Sequence, residues 1–90
     1  GMAALMAFLG KQVHYPALAA QMGVEGTVYL SFLIGEDGRV SDVRVVRGVS
    51  KELDEEAVRV AQRMPDWKPG RQNGRAVRVR YSLPMRFRLD

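Results

Sequence analysis

His14 is the only histidine in the 90 residues, and there is no cysteine. Acid–base or nucleophilic chemistry at His14 would need a nucleophile or a carboxylate brought close to it, and no recognisable arrangement of that kind is present. A structural or surface role fits it best. A transition-metal site would have to be built from carboxylates. Asp37 has a turn role, and Glu52, Asp54 and Glu55 sit where they complement the positive end of a helix. "GEDGR" is shorter than a calcium-binding loop and differently spaced. "GRQNGR" lacks the Lys-Ser/Thr ending of a phosphate loop and reads as a surface turn. No catalytic residue, metal or cofactor is therefore assigned, no directly bound small-molecule substrate is expected, and the chain reads as a non-enzyme.

The remaining chemistry lies in the last strand and its arginines. Val77, Val79, Tyr81, Leu83, Met85, Phe87 and Leu89 share one parity, and Arg78, Arg80, Ser82, Pro84, Arg86 and Arg88 share the other. This predicts a strand of about 13 residues starting near Ala76, with one apolar and one basic face. The formal charge is +4 and the pI near 10.0. Such a balance favours acidic peptides, nucleic acids or anionic membrane surfaces without choosing among them. The arginine face reads first as a solvated face and next as a surface for an acidic peptide or membrane-proximal partner. Nucleic-acid binding fits less well, because base-stacking platforms interleave exposed aromatics with basic residues and Tyr81 and Phe87 fall on the apolar parity. Pro84 cannot donate a ladder hydrogen bond, which places this strand at a sheet edge or breaks it locally. An open edge can accept an extended peptide as a further strand, and it also permits a homodimer or strand exchange.

The elements that must position this strand are legible in order. One domain with a modest core is expected from the length. Ala3 to Gln12 reads as a short helix with Leu5, Phe8, Leu9 and Val13 near one face, limited or frayed by Gly10. A second helix of about two turns starts at Pro16 and ends before Gly23, with Leu18 and Met22 burying together and Tyr15 packing back on the core. Val28, Leu30, Phe32 and Ile34 point one way in a central strand; Asp37-Gly38 turns the chain, and Val40 to Arg47 returns. Ser50 caps a third helix whose stripe is Leu53, Ala57, Val60, Ala61 and Met64, leaving Arg59, Gln62 and Arg63 wet. "PDWKPGRQNG" is a connection in which Trp67 anchors the turn and Asn73-Gly74 supplies positive-φ positions. The physical solution is an α+β fold: a three-stranded antiparallel sheet packed by helices, plus a short N-terminal helix.

These pieces coincide. Tyr15-Pro16, Gly26, Asp37-Gly38, Leu53-Asp54, Ala57, Trp67-x-Pro69-Gly70, Asn73-Gly74 and Leu83-Pro84…Phe87 together resemble the C-terminal domain of the TonB family, over Tyr15 to Leu89. The preceding "GMAALMAFLGKQVHYP" resembles the form of this domain common in Bacteroidetes. Residues 1–14 would be an N-terminal helix and lead-in, and 15–89 the domain core. The resemblance implies a periplasmic domain of a longer, inner-membrane-anchored energy transducer. Such a domain grasps the TonB-box peptide of an outer-membrane transporter, while ExbB/ExbD-type motor proteins engage the anchor region. Carried over, it puts the box along Val79, Arg80, Tyr81, Ser82, Leu83, Pro84, Met85, Arg86 and Phe87, with Trp67, Pro69 and Gly70 bracing the turn. Related domains also occur fused to membrane sensors or peptidase-like proteins, which leaves envelope-protein binding or sensing as the alternative role.

Overall fold

The computed structural model describes residues 2–90, with the side chains of Met2 and Met6 outside the description. Its elements are α1 (Met2–Gln12), α2 (Ala17–Gln21), β1 (Gly26–Ile34), β2 (Val40–Arg47), α3 (Lys51–Gln62), β3 (Gly70–Gln72), β4 (Arg75–Val77) and β5 (Val79–Phe87). β2, β1 and β5 form an antiparallel three-stranded sheet in that order, with β1 in the centre. β3 and β4 form a separate two-stranded hairpin.

Period-two patterning decides which face of β1 is dry. Val28, Leu30, Phe32 and Ile34 are buried, and they meet Leu53, Ala57, Val60 and Ala61 of α3 and Leu83, Met85 and Phe87 of β5 in one core. Burying each large aliphatic or aromatic side chain contributes about 1.5–3 kcal/mol. Helix α3 starts where Ser50, in extended conformation, accepts the Leu53 N–H at 3.2 Å through its hydroxyl. Asp54 reaches back to accept the Val49 N–H at 2.8 Å. Tyr15 packs edge-on against Phe87 with ring centroids 5.8 Å apart, and its hydroxyl donates to the Val24 carbonyl.

Five local expectations change. Helix α1 passes through Gly10 to Gln12, because Leu9 and Val13 dock on the core and the helix-terminal Gln12 carbonyl accepts a 2.8 Å bond from Arg59. That docking outweighs the glycine cost of about 1 kcal/mol. Leu18 and Met22 do not bury together; they are 51% and 71% exposed, and the small Ala19 faces the core instead. Helix α2 is only five residues long, so Met22 lies past its end and off its buried stripe. Arg59 is half-buried and not simply wet: its guanidinium grips Glu56 at 2.7 and 2.8 Å. Glu56 also accepts the His14 backbone N–H at 2.7 Å, which gives the segment before α2 a fixed attachment to α3.

The other two changes concern the chain after α3. The expected plain connection contains a hairpin, because Asn73 and Gly74 both take positive φ, 52° and 79°. That is the geometry of a two-residue type I′ turn. The last strand does not run unbroken from Ala76. Arg75–Val77 pairs with Gly70–Gln72, and the nine residues of β5 begin at Val79 because its partner β1 ends at Ile34, directly opposite.

Candidate partner-binding edge

β5 occupies one side of the sheet and β2 the other, so each has one flank without a strand neighbour. The two edges differ in regularity. β5 matches β1 in an unshifted register from Gly26↔Phe87 to Ile34↔Val79. β2 is irregular: its register slips between Tyr29 and Leu30 and again between Ser31 and Leu33, and Asp42 takes φ 49°. Bulges of this kind twist an edge away from further pairing. β5 retains the straight template.

Along β5 the side chains divide as the sequence parity requires. Leu83, Met85 and Phe87 are buried, so their side chains hold the strand in place and are closed to a partner. Arg80, Ser82, Pro84 and Arg86 are exposed on the opposite face, Val79 is half-buried, and Tyr81 is exposed at the rim of the core face. Pro84 stands opposite Tyr29 without disturbing the ladder on either side. Beyond β5, the Leu89 N–H donates to Glu25 Oε2 at 2.6 Å and ties down the end of the chain.

Of the motif residues in the connection, Trp67 and Gly70 lie directly against this strand. Trp67 packs tilted against both Phe32 and Tyr81, with centroids 5.7 and 5.1 Å away, so the connection is anchored to β1 and β5 together. The Trp67 N–H donates to the Gly38 carbonyl at 2.7 Å, which joins the connection to the β1–β2 turn. Gly38, at φ 87°, has no room for a side chain because the Trp67 backbone lies against it. Asp37 shapes the same turn by accepting the Arg39 N–H at 3.0 Å. A Cβ at Gly70 would stand 2.7 Å from a Val79 methyl, and one at Gly26 would stand 2.8 Å from a Val49 methyl. Pro69 is half-buried beside Gly70, while Asn73 and Gly74 cap the hairpin away from the sheet.

One side-chain group that ties the sheet together is not evident from the motifs. On the face away from the helices, Arg80 donates to Ser31 Oγ at 2.5 Å and pairs with Asp42, which also pairs with Arg44 at 3.0 Å. The group spans all three strands. The hydrogen bond from Arg44, reinforced by Arg80, holds the Asp42 carboxyl below the usual carboxylate range against a smaller opposing effect of burial. The only sequence signal was the outward parity of Asp42, Arg44 and Arg80, which names a face but no partners.

The described residues contain no group of three or more His, Cys, Asp or Glu placed to hold a metal, and no helix among them is long and apolar enough to cross a membrane. What the fold and the edge define is a small α+β domain whose three-stranded sheet ends in one regular open strand. Residues 11–89 match the family described as Gram-negative bacterial TonB protein C-terminal, and the chain belongs to that family, which is not enzymatic. It is 34% identical over 76 residues to Protein TonB of Pseudomonas aeruginosa, covering 84% of this chain and 22% of that protein. Protein tonB2 of the same organism is likewise 34% identical over 77 residues, covering 84% of this chain and 28% of that one. The chain thus spans about a quarter of the length of these curated relatives. Among solved structures, the Pseudomonas aeruginosa TonB C-terminal domain superposes with a TM-score of 0.66 at 32% identity, over 86% of this chain and 78% of that one. The Helicobacter pylori TonB C-terminal domain shares the fold, with a TM-score of 0.74 at 24% identity over 99% and 80%.

Proposed function

We propose that the chain is the periplasmic C-terminal domain of an inner-membrane-anchored, TonB-type energy transducer, and that it takes the TonB-box segment of an outer-membrane transporter as a further strand along β5. The single observation that carries this reading is the contrast between the two edges: nine consecutive unshifted rungs on β5 against two register slips on β2. A proline preserves a regular ladder when its missing N–H would have faced away from the neighbouring strand. Backbone groups of alternate residues point to alternate sides. On this reading Arg80, Ser82, Pro84 and Arg86 turn their backbone groups to the free side, and Pro84 serves there as an acceptor only.

About four or five new backbone bonds, at about 0.5–1.5 kcal/mol each, are offset in part by the cost of ordering the peptide. The product is a reversible grip that tolerates varied side chains. Force generated by ExbB/ExbD-type partners on the anchor region would reach the transporter through β5, and the domain itself would need no cofactor. An amide-resolved NMR titration of the 90-residue chain with a TonB-box peptide and a scrambled control tests the reading. Saturable shifts concentrated on Val79–Phe87 with the box alone are expected. No response at near-millimolar peptide, with the edge already protected in a monomer, contradicts it.

A further inference from the structure

Beside the start of β5 lies a groove of about 400 Å³, walled by Leu5 and Phe8 of α1 and by the Pro65–Lys68 segment, with Tyr81 on its floor. Nothing in the edge-binding account uses it. Its wall and floor are largely apolar or aromatic, and only Asp66 and Lys68 bring charge, of opposite sign, to it. Tyr81 belongs to both features at once: it is a rung of β5, and it is 38% exposed, with its ring against Trp67 on the helix-side face. Of the other positions on that face of β5, Val79 is half-buried and does not line the groove, and Leu83, Met85 and Phe87 are sealed into the core. The Tyr81 rung is therefore the place on β5 where the helix-side face stays open to solvent beside a preformed cavity.

A strand added to β5 would run about 4.8 Å away, with its side chains alternating between the two faces. Directly opposed residues on one face hold their Cβ atoms about 4.5–5.5 Å apart. Whatever residue of the partner stands at the Tyr81 rung would thus project from the helix-side face beside the Tyr81 ring, at the mouth of the groove. From this continuity of edge and cavity we infer that the groove between α1 and the Trp67 segment is a specificity pocket, which receives one branched aliphatic or aromatic side chain of the strand-adding peptide at the Tyr81 rung. The inference rests on strand addition along β5 and adds a requirement on the partner: an apolar residue at one defined position. The other positions of the peptide face either the arginine side or parts of the helix-side face that the groove does not reach, so they are freer. Backbone pairing alone makes no such demand, so the pocket supplies the selectivity that the backbone does not.

Trp67 is the only tryptophan in the chain and lines the groove, so its fluorescence reports occupancy directly. The test uses nine-residue box-type peptides in which each apolar residue in turn is changed to Asn. Two readouts are followed: Val79–Phe87 amide shifts for strand addition and Trp67 emission for the groove. Burial of one leucine-sized side chain is worth about tenfold or more in affinity. The expected result is that one position, and only one, costs about tenfold when changed to Asn and loses the Trp67 response while the β5 amides still shift. In Ala4→Glu, which places a carboxylate on an exposed residue lining the groove, that discrimination should fall to about twofold or less with an unchanged melting temperature. Peptides that shift the β5 amides with equal affinity whichever position carries Asn overturn the pocket and leave strand addition standing. Discrimination that persists in Ala4→Glu also overturns it. If no peptide shifts the β5 amides, strand addition itself fails and the pocket fails with it.

Discussion

Arg80 of β5 and Asp42 of β2 form an ion pair that passes over the central strand, with Ser31 of β1 accepting a second Arg80 bond at 2.5 Å beneath it. The outer strands of the sheet are thereby fastened to each other as well as to β1. The pair also explains why the arginines on this face are not equivalent. Arg80 is committed within the sheet, whereas among the described residues Arg86 has no ion-pair partner.

Binding should show that difference. Arg86→Glu is expected to weaken an acidic box peptide by about two- to fivefold, an amount typical of an exposed ion pair, and the loss should shrink as salt rises. Arg80→Ala should change the affinity less and lower the melting temperature. Titration calorimetry at two salt concentrations, paired with thermal melts, reads both. A larger affinity loss at Arg80 than at Arg86 would show that the Asp42 pair does not hold it.

Acid should loosen the domain through two carboxylates. Hydrogen bonding by Arg44 holds Asp42 below its ordinary value of 3.8, and hydrogen bonding by Arg59 holds Glu56 below 4.5, burial opposing in each case. Groups with depressed folded values lend stability that is fully present above their unfolded values and is lost as pH falls through the folded ones. The melting temperature should therefore fall as pH drops below about 4.5, and Asp42→Asn and Glu56→Gln should each flatten that decline. Melts from pH 7 to pH 2.5 decide it; parallel curves for wild type and both variants would contradict the assignment.

Removing the Glu56 side chain should also cost stability at neutral pH. Its carboxylate gathers the Arg59 guanidinium and the His14 N–H, and its side chain is only 10% exposed. Glu56→Ala is expected to destabilise by about 1.5–3 kcal/mol in urea melts, the range for hydrogen bonds to a charged group. Hydrogen exchange should accelerate first in residues 11–16, which the clamp fixes to α3. A uniform acceleration across the sheet would place the clamp's role elsewhere.

Two turn glycines should separate cleanly. Gly74 has positive φ but open space around it, so Gly74→Ala should cost about 1–2 kcal/mol from backbone strain alone. Gly38 adds the Trp67 backbone pressed against its α-carbon, so Gly38→Ala should cost clearly more and should alter Trp67 fluorescence. Equal costs would mean that the Trp67 segment is not seated on this turn.

The sheet and its helices were readable because their signals repeat. Alternation from Val28 to Ile34 and from Leu83 to Phe87 fixes which face is dry, and Ser50 with the Leu53–Met64 stripe fixes α3. Where the sequence reading failed, the deciding interaction is tertiary or local to a turn. Leu18 and Met22 have helical spacing, but α2 ends at Gln21 before the spacing can act. The alternation from Ala76 onward is continuous, yet β1 runs out of residues to pair at Ile34, and the Asn73-Gly74 turn captures the upstream part. The candidate edge was legible from Pro84 and the parity of the terminal residues. The brace from Arg80 to Asp42 was not, because no local pattern records which residues of β2 and β5 reach one another across β1. The α1 groove likewise exists only once Trp67 has folded onto Tyr81.

The central claim is that a partner strand joins at β5 and not at β2. With no native cysteine to interfere, disulfide trapping measures this directly. Ser82→Cys on the β5 edge and Val46→Cys on the β2 edge, both at exposed positions, are each mixed with TonB-box peptides bearing one cysteine at successive positions. The account predicts efficient trapping at Ser82→Cys at one favoured peptide position, outcompeted by unlabelled box peptide, and only background trapping at Val46→Cys. Equal or preferential trapping at Val46→Cys would contradict it.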